Sequence, residues 1–166
     1  MYVPIEKMPD TSRLWIYQAS RMLTTEEQQV ISVNLKEFCA QWAAHGADLQ
    51  TSFDVQHRRF IILAVNEQTA SASGCSIDSS THVIKNLEQQ LKVEFFNRGE
   101  VGFLENGNIS TFPVAELKKL FDEGRLNENS VTFNTLVATL GEWRNRPSLT
   151  VSESWLKRFI PKIPVA

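Results

Sequence analysis

Cysteine is scarce in this chain. Cys39 and Cys75 are its only two, too few for a disulfide framework, so both are expected as free thiols in a reducing compartment. No apolar run approaches a membrane helix: the strongest, Phe60 to Val65, falls far short of the roughly 20 residues a span requires. The opening MYVPIEKMPD lacks a basic segment leading into an apolar one, so no secretory signal is read and a cytoplasmic location is expected. Neither sign of charge dominates. A net charge of −2 argues against a nucleic-acid partner held by bulk electrostatics, and His57-Arg58-Arg59 reads as a solvated turn. No G-x-x-x-x-G-K-[ST] run exists, so nothing would wrap the phosphates of a nucleotide, and no cofactor or ATPase activity is expected. Cys and His never fall at the tight spacings of a zinc site, so no metal is expected either. Internal repeats and low-complexity tracts are also missing.

What remains is an ordinary globular composition, 42% apolar and 22% charged over 166 residues, enough for one proper core. Arg13 to Ala19 is rich in β-favouring residues and predicts a first strand. Thr24 and Glu27 form a capping-box signature that opens a helix. Ile31, Leu35, Phe38 and Trp42 follow at three- and four-residue steps on one buried face, with Gly46 as the stop and His45 at the helix end. Leu49 to Gln56 alternates apolar and polar residues as a half-wet strand does, and the unbroken FIILAV predicts a central one. Ile84, Leu87 and Leu91 mark a second helix. From residue 93 the pattern changes. Asn106-Gly107 predicts a hairpin, Pro113 and Gly124 bracket a helix, SVTFNTLVATL predicts a strand, and Ser152 opens a closing helix through ESWLKRFI. The expected class is α+β, with a mixed or antiparallel sheet and helices largely on one face. A ferredoxin-like βαββα start over residues 1–92 would be followed by a hairpin–helix–strand portion over 93–166, the two packed as one compact domain.

LWIYQASRMLT, FCAQWAAHGADL, ASGCSIDSS and ESWLKRF together resemble a family of small uncharacterised bacterial proteins over nearly the whole length. Members often carry the label "ABC transporter ATPase", for which no motif is present in this chain. Residues 101–143, with STFPVAELKKLFDEGRLNENSVTFN and then Trp143, resemble the helix-and-strand half of GYF-type adaptor domains. That resemblance implies a hairpin, a short helix and a strand, and a peptide-binding adaptor role for the region.

SASGCSIDSS, residues 71–80, is the segment with most chemistry in it. It reads as a loop leaving the central strand, with Ser79 or Ser80 capping the second helix. Gly74, Cys75, Ser76, Ser79 and Ser80 are candidates to hold a small anionic ligand at the helix N-terminus. Cys75 with Asp78 and His82 is the candidate catalytic set, the thiol acting as nucleophile. The structural alternative is a plain cap, with Cys75 and Ile77 filling the core and both thiols resisting alkylation. Trp15, Trp42 and Trp155 sit in periodic apolar segments and read as core. Trp143 and Arg144, in the polar GEWRNRP, are the candidate partner-binding pair, with the Trp either exposed to anchor a partner or closing the sheet edge. The expected function is a binding or regulatory protein, with an enzyme using Cys75 or an adaptor using residues 101–143 as alternatives.

Overall fold

A computed structural model describes residues 1–162. The chain divides into two compact units: Met1–Asn97 with Val137–Arg144, and Arg98–Leu136 with the chain from Asn145 on. The class is α+β, with the paired strands antiparallel.

The first unit holds β1 (Arg13–Gln18), α1 (Thr25–Gln41), the two-residue strands β2 (Ala43–Ala44) and β3 (Ala47–Asp48), β4 (Gln50–Gln56), β5 (Phe60–Asn66) and α2 (Gly74–Leu91). Its sheet runs β1-β5-β4. Because β5 is antiparallel to both neighbours, β1 and β4 are parallel with β5 inserted between them, the split βαβ arrangement of a ferredoxin-like start. FIILAV is central as its composition requires, and all seven residues of β5 are buried. Its two faces are covered differently. Ile61 and Leu63 pack with Ile31, Leu35 and Cys39 of α1 and Ile84 and Leu87 of α2. On the opposite face Phe60 meets the Trp143 ring at 6.0 Å. Trp143 belongs to α4 (Leu140–Asn145), so one helix departs from the common side.

α1 opens as its sequence dictates. Thr24 Oγ1 accepts from the Glu27 amide at 3.1 Å, and Glu27 Oε2 accepts from the Thr24 amide at 2.9 Å. The Arg21 guanidinium clasps the same carboxylate through two nitrogens and, with the cap, holds Glu27 down at about 2. The helix ends at Gln41 rather than Gly46. The intervening residues form a tight hairpin, in which His45 (φ 51°) and Gly46 (φ 77°) both take the left-handed backbone of a two-residue turn.

The second unit contains β6 (Glu100–Glu105), β7 (Asn108–Pro113), α3 (Val114–Asp122), β8 (Val131–Phe133) and β9 (Ser148–Thr150), in the sheet order β7-β6-β8-β9. Asn106 and Gly107, at φ 52° and 79°, make the hairpin turn. Phe103, Leu117, Phe121, Val151 and Leu156 are buried together. Two expectations need correction. SVTFNTLVATL is strand only over its first part, Val131–Phe133. The closing segment is a 3-10 helix, Trp155–Phe159, opened by Ser154, whose Oγ accepts from the Leu156 amide. Trp155 is 41% exposed rather than core, with the Arg158 guanidinium 5.0 Å from its ring centre. A 3-10 helix repeats every three residues, so Leu156 and Phe159 share the packed face and Trp155 falls beside Arg158.

Candidate functional site

Residues 74–81 are not a loop. They are the first two turns of α2, which starts six or seven residues earlier than Ser79 or Ser80 would have placed it. The cap is Ser73. Its Oγ accepts from the Ser76 amide at 3.2 Å, and Ser76 Oγ accepts from the Ser73 amide at 2.8 Å. A serine stands where the usual capping box has Glu or Gln, which is why the sequence pattern did not announce it. Glu67 pins the approach by accepting from the Ala72 amide at 3.1 Å. Gly74 is exposed in the first turn.

The candidate residues then sort by helical phase. Ser76 and Ser80 point inward and are buried. The Ser80 hydroxyl donates to the Ile77 carbonyl at 2.6 Å. The Ser76 carbonyl accepts from Trp42 Nε1 at 2.8 Å, so the end of α1 lies beside the first turn of α2. Cys75, Asp78, Ser79 and His82 are exposed. Cys75 is therefore not a core plug; Cys39 is the buried thiol. Burial pushes the Cys39 thiol up to about 12, with a hydrogen bond from Thr51 opposing in part.

Cys75 and His82 are seven residues apart on one helix, roughly 10 Å along the axis. That is beyond the hydrogen-bond reach a thiol and its general base require. Among the described residues, no group of three His, Cys, Asp or Glu side chains is placed to hold a metal ion. Among the described residues no helix is long and apolar enough to cross a membrane.

Trp143 and Arg144 are not in a solvated loop. Thr139 and Glu142 cap α4: Glu142 Oε2 accepts from the Ala138 and Thr139 amides, each at 2.9 Å. The T-x-x-E spacing was legible in ATLGEW as a helix start. Trp143 is 2% exposed, and its Nε1 donates to Gln56 Oε1 at 2.9 Å. Arg144 donates to the carbonyls of Met8 and Ile5 and to Asp10, strapping the N-terminal segment to α4. At Gly141 a β-carbon would stand 2.8 Å from Asp10 Cβ, so this contact needs glycine.

The concave feature that the sequence did not indicate lies between α1 and α2. It encloses about 260 Å³ and is lined by Asn34, Glu37, Phe38 and Gln41 from α1 and Val83, Asn86, Leu87 and Gln90 from α2. Phe38, expected on the buried stripe, is only half-buried because it floors this groove. Along α2, Cys75, Ser79, Asn86 and Gln90 recur at intervals of four, seven and four, which places them on one stripe. The first turns of α2 thus continue the groove wall. No family model, curated protein or solved structure matches this chain.

Proposed function

We propose that this chain is a binding protein that takes its partner on the helical face of the first unit. The binding surface is the α1–α2 groove together with the adjoining stripe of Cys75 and Ser79. The observation that carries this reading is the groove itself, an apolar floor ringed by hydrogen-bonding side chains. A few polar groups around an apolar concavity are the ordinary makings of a binding site.

The α2 terminus serves a partner better than a small anion. Ser73 and Ser76 already occupy each other's amides, and the exposed Asp78 carboxylate in the second turn repels negative charge. A catalytic role for Cys75 is the weaker reading, since His82 lies two turns away.

Small probes test the location without knowledge of the partner. Amide spectra of ¹⁵N-labelled protein are recorded while N-methylacetamide, isobutanol and indole are titrated separately. Saturable shifts are expected to concentrate at residues 34–41, 75–79 and 83–90. Shifts spread evenly over the surface, or gathered elsewhere, would overturn the reading.

A further inference from the structure

We infer that the groove holds an extended peptide segment, bound through its main chain and anchored by one apolar side chain next to a Lys or Arg. This rests on the binding role proposed above and names the occupant of that site.

The floor is apolar, made by Phe38, Val83 and Leu87. Its volume of about 260 Å³ admits a side chain or two, whereas a helix with its side chains is roughly 10 Å across and needs a wider bed. The rim is unusual in composition. Asn34 and Gln41 of α1 and Asn86 and Gln90 of α2 line the groove and are exposed, so four carboxamides lie at its edge. A carboxamide both donates and accepts, as a peptide group does. An extended segment outside a sheet carries unpaired N–H and C=O groups that must find partners on binding. Neutral amides can supply those partners without the cost of desolvating full charges. Asn34 is already oriented, its Nδ2 donating to the Val30 carbonyl at 2.8 Å.

Glu37 is the only ionisable residue of the lining, so charge complementarity calls for a cation on the occupant. The same fact disfavours a second copy of this chain. A two-fold pairing of the face would bring two Glu37 carboxylates into a lining that contains no cation. Val33, one turn before Glu37 on α1, is 67% exposed and extends the apolar surface beyond the groove.

A random dodecapeptide library displayed on phage, panned on the full chain, tests the inference. Counter-selection uses Val83→Glu, which charges the floor, and Asn86→Ala/Gln90→Ala, whose exposed positions are expected to leave the thermal melt unchanged. Enriched sequences are expected to pair Leu, Ile, Phe or Met with Lys or Arg within two residues. A capped synthetic peptide from that set should lose at least tenfold in affinity when its two central amides are N-methylated. Glu37→Gln should weaken it at least threefold. Equal enrichment on the double variant, an acidic consensus, or indifference to N-methylation would each overturn the proposal. So would sedimentation showing self-association that Val83→Glu abolishes, which would assign the groove to a second copy. If the small probes settle in the groove while no peptide is selected, the binding face stands and the peptide falls.

Discussion

Alkylation distinguishes the environments of the two thiols. Cys75 is exposed in the first turn of α2, whereas Cys39 has no exposed surface and lies on the buried face of α1. Burial raises the Cys39 thiol from an ordinary value of 9.0 to about 12. The thiolate is the attacking form, so at pH 8 about one folded molecule in ten thousand presents it at Cys39, against roughly a tenth for a free thiol at the ordinary value of 9.0. Ionisation alone therefore slows Cys39 about a thousandfold relative to free cysteine, before the opening that lets reagent reach it. Iodoacetamide at pH 8, followed by quenching and peptide mass spectrometry, is expected to label Cys75 at least about a hundredfold faster than Cys39. Rates within tenfold of each other in the folded protein, or a Cys75 that stays unlabelled until denaturant is added, would refute the argument. The raised Cys39 value also has a stability consequence. The fold favours the protonated thiol, so this contribution is whole below pH 9.0 and is lost as pH climbs toward about 12. The slope of the loss is at most about 1.4 kcal/mol per pH unit. Cys39→Ala should flatten that alkaline limb in urea melts taken between pH 8 and 11.

Three further substitutions probe the cover of the outer sheet face and the start of α1. Trp143→Ala is expected to cost about 3–5 kcal/mol because the ring is buried against Phe60, while Trp143→Phe loses chiefly the bond to Gln56, about 1 kcal/mol. Urea midpoints unchanged by Trp143→Ala would mean that the ring does not cover the sheet. Glu27→Gln keeps a capping-box residue but loses the carboxylate that the Arg21 guanidinium clasps, and should cost up to about 1 kcal/mol at pH 7. Because the Glu27 carboxyl is held below its ordinary 4.5, at about 2, its contribution is present above pH 4.5 and disappears as pH falls through about 2. Melts should therefore show the two proteins converging near pH 2, and a gap that persists there would show that the carboxylate is not its source.

Where a structural signal was local, the sequence was enough. The Thr24–Glu27 box opens α1, Asn106-Gly107 turns the β6–β7 hairpin, and FIILAV is the central strand because only a strand covered on both faces can be apolar throughout. The first two rest on contacts within a few residues, and the third on the composition of one short run. The start of α2 was also local but was masked, since a serine–serine box has no distinctive composition. Likewise the Thr139–Glu142 cap was written in the chain, yet the polar residues around Trp143 outweighed it.

The candidate groove had no such signature. Residues 34–41 and 83–90 lie about fifty positions apart, and each reads alone as an amphipathic helix with a polar outer face. Their carboxamides become one rim only because β5 sits between β1 and β4, which lays α1 and α2 side by side on one face of the sheet. Whether Trp143 faces water or the sheet was settled in the same way, by the return of residues 137–144 to the first unit. Periodicity and caps express short-range energies and so can be read along the chain. Which helix faces meet, and what gap they leave, depends on side-chain volumes brought together by long-range strand pairing, and only the tertiary structure decides it.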